Sequence, residues 1–165
     1  MRIYIVRHAD AHPVGAKKIK SDEERFLTGK GRKRSRRLGR ALNKTRVKAD
    51  WIWTSPLVRA RQTAELLSKG LRAHPPVMDL EELAPPGRGP ALLKALAEKD
   101  PRETVVVGHE PFLGGFLGRL LTGNAGAAMP LSKASVACVE TDEIKWGSGR
   151  LIWLITPDLV KSIVK

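Results

Sequence analysis

The chain has 165 residues, 42% of them hydrophobic and 28% charged, enough for one domain (1–165) whose core needs no disulfide or metal staple. No apolar run approaches the roughly 20 residues of a membrane-spanning helix, which argues against a membrane protein. Cys138 is the only cysteine, which excludes an intramolecular disulfide and a Cys-rich zinc site. The net charge of +13 points instead to polyanionic partners: nucleic acid, an anionic membrane surface, or acidic and phosphorylated molecules. No charged segment followed by an apolar one opens the chain, so the expected location is the cytoplasm.

Residues 3–6 are apolar, unbroken and mostly β-branched, the pattern of a buried strand. This strand runs into Arg7-His8-Ala9-Asp10. A polar loop over 11–26 follows, with Pro13, Gly15 and a lysine cluster. Thr28 is the expected N-cap of a helix over 30–44, with Gly31, Ser35, Leu38 and Leu42 facing inward. Lys30, Arg32, Lys33, Arg34, Arg36, Arg37, Arg40, Lys44, Arg46 and Lys48 then fall on its other faces and beyond its end. A solvated helix face accounts for most of that charge.

Residues 51–54 read as a second strand, broken by Ser55-Pro56. Pro56 suits the first turn of a helix over 57–69. A connector containing Leu80-Glu81-Glu82-Leu83 and a turn-rich loop over 85–90 lead to a short helix at 92–98. Residues 104–108 have the composition of a fully buried parallel strand, ending at Gly108-His109-Glu110-Pro111 before a helix over 112–121. Two further strands, 134–140 and 151–155, are joined through Gly147-Ser148-Gly149. Alternating strands and helices predict an α/β fold: a three-layer α/β/α sandwich around a central, mostly parallel sheet.

A single strand-end histidine is ordinary structure. Three strand ends with related chemistry are not. Arg7 and His8, then Ser55 with Arg59 and Arg61, then His109 would share one edge of a parallel sheet, where α/β proteins bind ligands. Arginines suit the oxygens of a dianion, a helix N-terminus adds partial positive charge, and an imidazole can attack phosphorus. Arg61, two residues from Arg59, points elsewhere on a helix. His12 and His74 match no motif. The tryptophans read as sheet packing or loop, and an aromatic fraction of 5% gives little support to base stacking.

At this point the chain resembles the histidine phosphatase superfamily, which also contains the phosphoglycerate mutases. The resemblance rests on Arg7-His8-Ala9, Leu27-Thr28 with Gly31, the stretch from Ser55-Pro56 through Arg59-Ala60-Arg61-Gln62-Thr63-Ala64, Leu80-Glu81-Glu82-Leu83, and Gly108-His109-Glu110-Pro111. The short chain is similar to the SixA-type phosphohistidine phosphatases within that superfamily.

The resemblance implies that His8 is a nucleophile that becomes phosphorylated. It implies that Arg7 and Arg59 clamp the phosphoryl oxygens with His8 and His109, and that His109 stabilises transition-state charge. No cofactor and no metal are implied. Glu82 is the preferred general acid, with Asp10 in reserve. The expected partner is a phosphorylated protein, such as a phosphohistidine signalling domain, or else a phosphorylated small molecule. A nucleic-acid or polyanion binding module using residues 30–48 is the alternative of a different class. The chain departs from the family's usual Arg-His-Gly: Ala9 stands where a positive φ would cost a non-glycine about 1 kcal/mol or more.

Overall fold

The computed structural model describes residues 1–164. Among them, six strands form one sheet in the order β3-β2-β4-β1-β5-β6. The strands are β1 (Arg2–Arg7), β2 (Trp51–Thr54), β3 (Val77–Asp79), β4 (Glu103–Gly108), β5 (Val136–Glu140) and β6 (Arg150–Ile155). The helices are α1 (Gly29–Lys44), α2 (Val58–Gly70), α3 (Gly89–Lys99), α4 (Phe112–Thr122) and α5 (Pro157–Ile163). β3, β2, β4 and β1 run parallel to one another, while β5 and β6 complete the sheet antiparallel.

The strand residues alternate between two cores, as a period of two requires. Tyr4, Val6, Ile52, Val105, Val107, Val136 and Cys138 pack against α1, α2 and α5. Ile3, Ile5, Trp53, Val106, Ala137 and Val139 pack against α3 and α4. The result is the expected three-layer α/β/α sandwich.

α1 begins as anticipated, with the Thr28 hydroxyl accepting from the Gly31 amide at 3.0 Å. Gly31, Ser35, Leu38 and Leu42 are all buried along one face. Leu38 and Leu42 are fully enclosed, each stabilising the fold by about 2 kcal/mol. α1 lies unusually close to α2: a Cβ on Gly70 would stand 2.7 Å from the backbone of Gly39.

Four local readings change. β3 falls where the sequence shows only connector, because Val77-Met78-Asp79 is too short and too exposed to carry an apolar signal. α5 gave no signal either, being seven residues long with one buried side chain. α2 starts at Val58, so Pro56 precedes its N-cap Leu57 instead of entering the first turn. β5 starts two residues late, because Ala134 adopts φ 60 and its amide turns back onto the Arg7 and His8 carbonyls at 3.1 and 3.3 Å. Ala9 is fully buried and is not among the residues with positive φ, so alanine fits this position without backbone strain.

Gly31 packs so tightly on β1's continuation that a Cβ there would overlap the Asp10 carbonyl. Gly31→Ala should lower stability by about 1–3 kcal/mol through overpacking. An unchanged urea midpoint would show that α1 can shift away from the strand end at no cost.

Candidate functional site

The parallel ladder continues one residue beyond the strands and fixes the site. The His8 amide donates to the Gly108 carbonyl at 3.0 Å, and the Ser55 amide to the Val107 carbonyl at 2.9 Å. Arg7 at the end of β1, His8 just past it, Ser55 after β2 and His109 after β4 are thereby held side by side on one sheet edge. The His8 and His109 rings lie 5.0 Å apart. His8, Arg59 and His109 are all less than 10% exposed.

The long motif at the start of α2 now has a physical reading. Ala60 and Ala64 are fully buried against the sheet. The Thr63 hydroxyl donates to the Arg59 carbonyl at 2.7 Å and accepts from the Ala9 amide at 3.1 Å. Gln62 accepts from the Leu27 amide at 2.9 Å. One helix turn thus anchors both the residue after His8 and the far end of the 11–26 loop. The loop is also pinned at its base, by the pairing of Ala11 with Leu27 and by a bond from the His12 amide to the Phe26 carbonyl.

His8 Nδ1 lies 2.7 Å from the Ala9 carbonyl. A carbonyl can only accept, so Nδ1 carries the proton and the neutral ring keeps its lone pair on Nε2. Burial is the main cause that lowers the His8 pKa to about 4, opposed by the Ala9 bond and assisted by the charges of Arg59, Arg7 and Lys133. Burial likewise lowers His109 to about 3, followed by the influence of His8 and Arg59. Both rings are neutral at physiological pH.

His109 Nε2 and the Ser55 hydroxyl are 2.8 Å apart. The same hydroxyl accepts from the Leu57 amide at 3.3 Å, so Ser55 shapes the turn into α2 without being its N-cap. When Ser55 donates to Nε2, Nδ1 of His109 carries the proton. Nδ1 has no partner among the described residues; Nε of Arg7 and Nε of Arg59 are likewise buried and unpaired. Three buried hydrogen-bonding groups with unused capacity therefore belong to this one cluster, the arrangement expected where an anion binds.

One participant gave no recognisable signal in the sequence. Asp22, in the 11–26 loop, accepts from Arg59 through its carbonyl at 2.6 Å and its carboxylate at 2.8 Å. Arg25 also holds that carboxylate at 2.8 Å. The Arg25 bond is the leading cause that keeps the Asp22 pKa below the ordinary carboxylate range. Asp22 is separated from Arg59 by 37 residues, so only the folded loop reveals the pair.

The two carboxylates considered for proton transfer differ in placement. Asp10 is bound to Arg34 at 2.8 Å, with Lys30 at 3.9 Å. Glu82 is half-buried in the 3₁₀ turn Glu81–Leu83, and its carboxylate has no hydrogen-bond partner among the described residues. That turn follows β3, whose register places Asp79 beside Thr54, so Glu82 lies at the same sheet edge. No hydrogen bond joins it to Arg7, His8, Arg59 or His109. Arg61 turns away to pair with Asp79 at 2.6 Å. His12 packs on Phe26, and His74 is exposed. Among the described residues, no cluster of three or more metal-ligating side chains occurs, and no helix is long and apolar enough to cross a membrane.

Comparison with known proteins adds independent findings. The family model for the histidine phosphatase superfamily (branch 1) matches residues 3–84. The phosphohistidine phosphatase SixA of Escherichia coli (strain K12) is 31% identical over 160 residues, covering 95% of this chain and 94% of that protein. An uncharacterized protein of Picosynechococcus sp. (strain PCC 7002) is 35% identical over 140 residues, 82% of each chain. The solved structure of the protein histidine phosphatase SixA complexed with tungstate superposes with a TM-score of 0.83 at 30% identity, covering 96% of this chain and 98% of that one.

Lowered pKa values predict that the His8 and His109 ring resonances stay fixed between about pH 5 and 8 in an NMR titration. They should move only as pH falls toward about 4 and 3. Because unfolded histidine protonates near 6.5, the fold should lose stability as pH drops from there toward 4. A His8 midpoint near 6.5 would show that the ring is hydrated and ordinary.

Proposed function

The chain belongs to the histidine phosphatase superfamily, and from that membership we propose that it is a phosphohistidine phosphatase acting on proteins through a phosphoryl intermediate at His8. The observation that carries this reading is the pairing of an uncharged, Nε2-nucleophilic His8 with the unpaired buried groups of Arg7, Arg59 and His109. The tungstate bound in the similar SixA structure supports an oxyanion site in this fold. We assign the protein to the cytoplasm, in keeping with its single, buried, free cysteine.

In the first displacement the Nε2 lone pair of His8 forms a bond to phosphorus as the substrate's P–N bond breaks. The departing imidazole leaves as the neutral ring, keeping the proton already on its other nitrogen. Arg7 and Arg59 hold the equatorial oxygens, and His109 donates from Nδ1 as charge redistributes, the positioning and electrostatic work that dominates phosphoryl transfer. In the second displacement water attacks phosphorus, the bond to Nε2 breaks, and the His8 ring returns to its neutral form. Glu82 supplies the proton where a strong acid is needed and receives one from the attacking water. Asp10, tied to Arg34, suits this role less well. A phosphoamidate has a labile P–N bond, so its cleavage asks little of a general acid, whereas a phosphomonoester asks much.

A phosphorylated small molecule is the second reading, and two substrates distinguish it. His8→Ala should reduce turnover of a phosphohistidine protein by about 10⁴-fold. Glu82→Gln should slow para-nitrophenyl phosphate hydrolysis by about 10²-fold while leaving phosphohistidine turnover within about threefold. Full activity of His8→Ala would overturn the mechanism. Preference for small phosphomonoesters over the phosphohistidine protein would favour the second reading. The Glu82→Gln pattern appearing in Asp10→Asn instead would reassign the acid.

A further inference from the structure

A groove of about 150 Å³ lies between α1 and α5, lined by none of Arg7, His8, Arg59 and His109. Lys30, Lys33, Arg34, Arg37 and Lys161 line it, over a floor of Ala134, Pro157 and Val160. Two carboxylates temper this charge: Asp10 on Arg34 and Lys30, and Asp158 on Lys161 at 2.7 Å. Lys33 and Arg37 have no carboxylate partner among the described residues. Neither do the exposed Arg36 and Arg40 farther along α1.

The groove is joined to the site by its own residues. The Ala134 amide bonds to the Arg7 and His8 carbonyls. Lys133, next to it, is close enough to His8 for its charge to lower the ring's pKa. Asp10, two residues past His8, forms part of the groove's ion-pair network. A phosphorylated side chain reaching His8 would bring its flanking residues over this cationic wall.

We infer that the α1–α5 groove docks an acidic protein segment, with carboxylates flanking the phosphorylated residue paired to Lys33 and Arg37. The occupant follows from the lining. Free cationic groups over a small apolar floor fit one or two carboxylate side chains with their methylenes. No aromatic side chain lines the groove, so it lacks the stacking platform of single-stranded nucleic-acid sites. Unpartnered cations beside an anion-consuming site also steer encounter and set partner choice. The inference rests on the protein-phosphatase reading, and its test separates the two.

Two phosphohistidine peptides are compared, identical except for flanking Asp/Glu or Asn/Gln. The acidic peptide should be turned over with the higher kcat/KM at low salt. Lys33→Glu/Arg37→Glu should remove that advantage, lowering kcat/KM for the acidic peptide about tenfold. The neutral peptide and para-nitrophenyl phosphate should be unaffected, and Lys33→Gln/Arg37→Gln should give a smaller change in the same direction. Fluorescence anisotropy with the unphosphorylated acidic peptide tests the groove without catalysis: wild type should bind it and the charge-reversed variant should not. Equal turnover of the two peptides by wild type, or equal loss on both in the variant, overturns the inference. Binding of a short single-stranded RNA of equal charge in preference to the acidic peptide, lost in the same variant, overturns it in favour of nucleic acid. If neither peptide is dephosphorylated but the acidic one binds and the variant loses it, docking stands and the phosphohistidine reading falls.

Discussion

The backbone amide of His8 donates to Gly108 across the parallel pair β1–β4, and that of Ser55 to Val107 across β2–β4. These bonds extend the sheet one residue past its regular strands, and the rest of the site hangs from them. A sheet edge is a rigid platform, so the side chains it presents lose little further entropy when a ligand binds. Because the ladder fixes Ser55 against Val107 and β4 itself leads into His109, the Ser55–His109 bond is close to set by the strands alone. Thr63 then ties α2 to the Ala9 amide, so Arg59 is referenced to the same platform through a helix.

Charge decides what such a platform can hold. Arg59 is buried beside two imidazoles, and an unpaired guanidinium there would be strongly unfavourable. Asp22 offsets it from the loop, with an ionised carboxylate and a carbonyl. The imidazoles respond in the opposite way, by giving up their protons. The consequence for the proposed chemistry is direct: a histidine that is to act as nucleophile must be neutral, and here burial and neighbouring cations make it so without a general base. In the proposed reaction a phosphoryl dianion would supply the negative charge the cluster favours. Arg59 can meet it through the unpaired Nε or by exchanging Asp22 for phosphoryl oxygens, which would couple binding to the 11–26 loop.

What the sequence made legible follows from how local each signal is. Strand ends bearing Arg7-His8 and Gly108-His109, the Thr28 cap and the inward face of α1 are each written in a few adjacent residues, and the structure brings them where expected. β3 and α5 escaped because three exposed residues and a helix with one buried side chain leave almost no periodicity. Asp22 escaped because its partner lies 37 residues away and no pattern links an acidic loop residue to a buried arginine. In the sequence Ser55 is legible only as the break after the second strand and as one of the polar strand ends. Its bond to His109 depends on strand register, which spacing alone does not give. The basic run over 30–48 was readable as charge, but its division between solvated face and groove wall depended on where α5 packs.

Every role proposed for the site depends on phosphate passing through Nε2 of His8. Protein quenched in alkali during turnover of a phosphohistidine peptide, then digested and analysed by mass spectrometry and phosphorus NMR, tests it directly. Phosphate is expected on His8 alone, attached at Nε2 because Nδ1 is committed to Ala9. Phosphate on His109, on Nδ1 of His8, or on no residue while turnover proceeds would contradict it.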